Sequence, residues 1–285
     1  MPEVFEEQSS SKLLEAELLF QEKKYNQCFK TLVGVSATHS KNIRFLRLLE
    51  AVQFELKDYM AREKTLKCLV DLTQDIQNQL SYMDQLIQNN RFNLALDVGL
   101  GVQEHRLTIH QILELNKNLL LIYVRENDIE GLEQVLKSYE DIHFLNEYYY
   151  YGKSIFELSF GLEDDALVSL RAALNINPKL DSAWVALALL HEKRGDRELA
   201  MGNMEKALDE NPYNAVAVKC FAKWKSQDGF FEAAAYKIDY YLRSFNFDED
   251  LTQQRISLLK KMNRPDIAHC ENIKLMHFFG QKIAV

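Results

Sequence analysis

Residues 147–212 read EYYYYGKSIFELSFGLEDDALVSLRAALNINPKLDSAWVALALLHEKRGDRELAMGNMEKALDENP, and the second half of this stretch repeats the first. From Glu147 apolar residues recur at helical spacing until Gly161, which suits a helix C-terminus because glycine enters the left-handed region without a Cβ penalty. A second periodic run through Ala166, Leu170, Ala173 and Leu174 closes at Asn177-Pro178, where proline forces its predecessor out of the α region. The next unit returns the same positions as Trp184, Leu187, Ala188, His191, Gly195, Ala200, Met204 and Ala207, and closes at Asn211-Pro212. Each unit is therefore predicted to be helix, tight turn, helix and short linker. Small residues at Ala166/Ala200 and Ala173/Ala207 let the paired helices approach closely.

Outward from this pair the period persists. Ala166, Ala200, Ala234 and Ala268 stand 34 residues apart, each five residues after Gly161, Gly195, Gly229 or Asn263. Asn127 and Leu132 keep the spacing one step earlier. Further back, Tyr25, Tyr59 and Phe92 follow polar turns (Lys23-Lys24, Lys57-Asp58, Asn90-Arg91) at spacings of 34 and 33. Arg62 and Gly99 break the apolar pattern there. A fixed period of this length marks stacked supersecondary units, none able to bury its apolar face alone.

The pattern of a large residue, Leu-Gly/Ala, an aromatic, Gly/Asn, Ala, a large apolar residue, Ala and Pro resembles the tetratricopeptide repeat family. The match is closest over residues 147–212. Later, Tyr241 replaces the late alanine, Phe245-Asn246 the proline, and Asn272 a large apolar residue. The resemblance implies an all-α, right-handed α-solenoid of about eight helix hairpins. The expected organisation is a flexible tail at 1–11, divergent repeats at 12–104, and regular repeats at 105–285 that end in an apolar C-terminal helix. Gly99 and Gly101 suggest a soft or hinged helix near that boundary.

The composition agrees with an all-α chain. Of 285 residues only 10 are Gly and 4 Pro, leaving little material for hairpins or long loops. A formal charge of −8 without a basic cluster argues against nucleic-acid binding. Cys28, Cys68, Cys220 and Cys270 form no CxxC pair or compact disulfide spacing, which fits a reducing cytoplasm. The start shows no apolar signal segment, and no run approaches the length of a membrane span.

Chemistry is sparsely represented. His39, His105, His110, His143, His191, His269 and His277 show no i, i+4 ligand pair. Gly99-Leu100-Gly101 lacks the third glycine and preceding strand of a phosphate loop. No nucleophile–base motif appears, so neither enzyme activity nor a cofactor or metal is expected. Carboxylate runs such as Asp164-Asp165 sit at helix starts, where the macrodipole favours them.

The resemblance further implies that first helices line a concave groove. The groove positions include Lys117, Leu121 and Arg125, then Tyr148, Tyr151, Ile155 and Leu158, then Val185 and Leu189, then Lys219 and Lys223. A tyrosine-rich apolar centre flanked by cations suits another protein, specifically a segment with apolar anchors beside acidic residues. Of the four consecutive tyrosines, Tyr150 is expected in the core. The slots of the family's charged clamp for C-terminal carboxylates hold Tyr151 and Ile155, or Val185 and Leu189, which disfavours that type of recognition. The alternative is an architectural or self-associating subunit docked through its ends, because Ile273, Leu275, Met276, Phe278, Phe279, Ile283 and Val285 make the last segment apolar. That segment could also pair two copies of the chain.

Overall fold

The computed structural model describes residues 2–244 and 248–280. Its contacts divide the chain into two compact units, Met1–Phe144 and Leu145–Val285. The first contains α1 (Pro2–Gln21), α2 (Tyr25–Val33), the one-turn α3 (Ser36–His39), α4 (Ile43–Glu55), α5 (Tyr59–Thr73), α6 (Ile76–Gln88), α7 (Phe92–Gln103), α8 (Ile109–Glu126) and α9 (Ile129–Asp141). The second contains α10 (Glu147–Ser159), α11 (Glu163–Ile176), α12 (Asp181–Lys193), α13 (Arg197–Glu210), α14 (Ala215–Gln227), α15 (Phe231–Leu242), α16 (Glu249–Lys261) and α17 (Pro265–Gly280). No strand occurs among the described residues. Apart from α3, the helices pair as eight consecutive hairpins.

One backbone feature recurs in every hairpin. The turn between its helices holds a residue with positive φ: Lys23, Lys57, Asn90, Asn127, Gly161, Gly195, Gly229 and Asn263. The three glycines reach φ of +75°, +80° and +85°, whereas the lysines and asparagines hold 55–58°. The same left-handed turn thus runs through the divergent front half, built from residues that pay a steric cost for it. Tyr25, Tyr59 and Phe92 begin α2, α5 and α7 as expected.

The periodic alanines explain the packing. Ala166, Ala200 and Ala234 are fully buried and Ala268 nearly so, each in the second helix of its hairpin. The Asn-Pro ends also interlock. Asn177 donates to Glu147 at 3.3 Å, and Asn211 donates to Asp181 at 2.9 Å, one period later. Each linker is tied to the start of the hairpin it closes. In the second unit, Val185, Ala188, Met204, Val218, Phe221, Trp224 and Ile238 belong to one continuous core running from α12 to α16.

Residues 2–11 begin α1, with Pro2 at the first helical position, where its missing N–H costs nothing. By its contacts the chain divides at 144/145. The helices after residue 104 pack on the earlier ones, with Gln77 donating to Glu114 at 2.8 Å and Lys117 meeting Asp84 at 2.9 Å. Helix α7 runs unbroken through Gly99 and Gly101. A Cβ on Gly99 would lie 2.7 Å from Met83 Cε and 3.1 Å from Leu119 Cδ2, so that glycine admits close packing and is no hinge. Tyr149 rather than Tyr150 is the buried residue of its pair. The Phe245-Asn246 substitution lies outside the described residues.

Arg62, which interrupts the apolar pattern, occupies a buried polar network. Its guanidinium donates to Glu50 at 2.6 Å and Gln85 at 2.8 Å and lies 4.8 Å from the Phe54 ring centre. The adjacent Glu63 receives Asn89 at 2.6 Å and Arg91 at 2.9 Å. Buried charge survives here because every partner is supplied.

Candidate protein-binding surface

The eleven residues expected to line a groove fall into two sets, one in each unit. In the first unit Lys117 and Leu121 are half-buried on α8 and Arg125 is exposed. Lys117 is tied to Asp84, and the Arg125 guanidinium sits 5.7 Å from the Phe92 ring centre. These two cations are therefore held in place by α6 and α7 rather than extended freely.

In the second unit the eight residues divide by exposure. Tyr148, Ile155 and Leu158 are half-buried on α10, Leu189 is 41% exposed on α12, and Lys223 is exposed on α14. Lys219 is half-buried and bridges Asp248 at 3.3 Å and Asp250 at 3.0 Å. Tyr151 and Val185 keep only 7% and 6% of their surface, so each offers little area to a partner. Packing explains both. Val185 belongs to the α12–α16 core. Tyr151 packs beside α12, where burial first, and then the nearby Asp181 carboxylate, pushes its hydroxyl well above the usual tyrosine range, while its bond to Ser182 works the other way. Val216 on α14, at the position equivalent to Ser182 in the preceding hairpin, is 38% exposed.

Charge separates the two helix sets of this unit. The first helices α10, α12, α14 and α16 carry eight Lys/Arg against six Asp/Glu, a net of +2 with His neutral. The second helices α11, α13, α15 and α17 carry five against eleven, a net of −6. Helix α14 alone has three lysines and no carboxylate. Lys219 and Lys223 are four residues apart on it and so share one face.

Among the described residues no group of three His, Cys, Asp or Glu could hold a metal ion, and no helix is long and apolar enough to cross a membrane. The C-terminal segment is only partly described. Leu275 packs on Ile256, Leu259 and Ala268, whereas Ile273 and Met276 are exposed. The side chains of Phe278 and Phe279, and all of Ile283 and Val285, lie outside the described residues.

A tetratricopeptide repeat protein from Parabacteroides merdae superposes over 88% of this chain and 99% of its own, at 15% identity and a TM-score of 0.64. The fold is that of tetratricopeptide repeat proteins. A chain of the APC/C hetero-tetramer Cut9–Hcn1 matches over 93% of this chain and 52% of its own, at 13% identity and a TM-score of 0.54. The human IFIT1 dimer with PPP-AAAA matches over 94% of this chain and 72% of its own, at 11% identity and a TM-score of 0.50. At such identities the likeness establishes the tetratricopeptide architecture alone. No protein-family model and no curated protein sequence matches the chain.

Proposed function

We propose that the protein is an interaction scaffold whose second unit binds a peptide segment of another protein along its first helices. The observation that carries this reading is the charge partition: a net positive first-helix set in a chain of formal charge −8. The apolar Leu189, Val216, Ile155 and Leu158 on those helices supply anchoring area; the exposed Lys223 offers its charge to an acidic partner, and Lys219 can join it by exchanging Asp248 and Asp250 for the partner's carboxylates. The expected ligand is an acidic segment with spaced apolar side chains. The complexes formed by Cut9–Hcn1 and by the IFIT1 dimer show that this fold can serve protein association.

The test uses a fluorescein-labelled amphipathic peptide of Glu and Leu, followed by anisotropy against increasing salt. Binding should weaken as salt rises. Reversing both Lys219 and Lys223 to Glu should weaken it about tenfold or more, since each exposed charge contact contributes on the order of 0.2–1 kcal/mol and reversal replaces attraction by repulsion. Salt-independent binding, or full affinity in the double variant, would refute the assignment.

One observation favours a second reading, an architectural subunit docked through its ends. Terminal repeats ordinarily carry a polar outer face, yet α1 exposes Leu14 and Leu18, and α17 exposes Ile273 and Met276. Light scattering separates the readings. A stable dimer that dissociates on deletion of 273–285 favours docking through the ends, and a monomer opposes it.

A further inference from the structure

The outer helices of the second unit carry features that the first-helix surface does not use. Val168 on α11, Gly202 on α13 and Tyr236 on α15 are 34 residues apart and so hold one position in three successive hairpins. Val168 is 66% and Tyr236 63% exposed. Between them Gly202 sits in a helix interior, where glycine costs about 1 kcal/mol relative to alanine. Nothing inside the fold requires it, because a Cβ there would meet no atom within 4 Å. Its φ is also outside the left-handed range. Gly202 thus leaves a bare patch of helix surface, with exposed apolar side chains at the same position of the hairpins before and after it.

Tyr236 belongs to an aromatic cluster. The rings of Tyr213 and Tyr240 stack with centroids 5.5 Å apart and an interplanar angle of 25°, and their hydroxyls lie 3.4 Å apart. Tyr236 stands four residues before Tyr240 on α15 and so shares its face, while Arg243 one turn further on brings one cation to the cluster's edge. Exposed carboxylates surround this cluster in sequence: Glu232 one turn before Tyr236, and Asp209 and Glu210 just before Tyr213. Tyrosine faces and carboxylates together attract Lys and Arg side chains.

We propose that this outer face, centred on Tyr236 and Gly202, docks a basic amphipathic helix of a partner protein. The occupant follows from charge. A net of −6 on α11, α13, α15 and α17 repels nucleic acid and anionic lipid and disfavours the acidic ligand assigned to the first helices. The bare patch at Gly202 lets an approaching backbone come close, and Val168 and Tyr236 grip its apolar side. The protein would then hold two partners of opposite charge on opposite helix sets.

A labelled amphipathic peptide of Lys and Leu provides the test, with its Glu/Leu analogue as a separate control and sedimentation as a parallel reading. The Lys/Leu peptide should bind the full chain. Tyr236→Ala and Gly202→Gln should each weaken it about tenfold, the loss expected of a central contact. G202Q has room for its side chain and a better helix former, so its loss cannot be ascribed to misfolding. The proposal is overturned if the Lys/Leu peptide fails to bind, or if both variants keep wild-type affinity. It is equally overturned if the Glu/Leu analogue, labelled and titrated on its own because the two peptides pair with each other, is weakened by the same two variants, or if the peptide merely dissociates a self-associated form through this face. These outcomes leave the first-helix assignment untouched, because that one is read with the acidic peptide and the lysine reversal.

Discussion

Tyr148 and Tyr151 are three residues apart on α10, and substitution should separate them sharply. Tyr151 is 7% exposed and its hydroxyl bonds Ser182, whereas Tyr148 is half-buried. Truncating a buried aromatic ring to alanine costs about 3–5 kcal/mol, and the hydroxyl's hydrogen bond adds about 1 kcal/mol. Tyr151→Ala should therefore lose about 4–6 kcal/mol and Tyr151→Phe about 1 kcal/mol. Tyr148→Ala, at a less buried position, should cost less, on the order of 1 kcal/mol. At about 2–4 °C per kcal/mol for a unit of this size, Tyr151→Ala lowers the melting temperature by roughly 8–24 °C. Urea unfolding followed by circular dichroism at 222 nm measures all three variants. Equal losses for Tyr148→Ala and Tyr151→Ala, or a loss below about 1 kcal/mol for Tyr151→Ala, would refute the assignment of Tyr151 to the core. Partner capture tested with a double alanine variant would confuse unfolding with lost contact, so Tyr148→Ala alone is the informative surface variant.

Lys57 holds φ of +58° at a hairpin turn, so Lys57→Gly should raise stability by about 1 kcal/mol, and Gly195→Ala, at φ +80°, should lower it by about 1–2 kcal/mol; both are read from urea midpoints. Arg62→Met should cost about 3–5 kcal/mol by leaving Glu50 and Gln85 buried without their partner, and Arg62→Met with Glu50→Leu should recover part of that loss in a double-mutant cycle. Burial pushes the Cys28 thiol up to about 11 from its ordinary 9.0, so its contribution is fully present below pH 9 and is lost as pH rises towards 11. Cys28→Ala should flatten the stability profile over that window. In the native protein Cys68 and Cys270, both exposed, should react with a thiol reagent well before Cys28.

The hairpin register was legible wherever side chains enforce it. Gly161, Gly195 and Gly229 announce left-handed turns because no other residue adopts them without strain, and the buried alanines announce close crossings. In the front half Lys23, Lys57 and Asn90 adopt the same backbone without a residue type that advertises it, so only the aromatic starts of α2, α5 and α7 gave the spacing away. Arg62 read as a break because its partners, Glu50 and Gln85, come from other helices. The site was legible at the level of helix faces and not of individual exposure. Leu189 and Lys223 emerged as surface residues, but burial of Tyr151 and Val185 depends on how closely the next hairpin stacks, which a single period does not encode.

Hydrogen–deuterium exchange with and without the acidic Glu/Leu peptide tests the central claim most directly. Added protection in α10, α12 and α14, strongest near Leu189 and Lys223 and absent in the Lys219→Glu/Lys223→Glu variant, is the predicted result. Protection confined to α11, α13 and α15, or to the terminal helices α1 and α17, would contradict it.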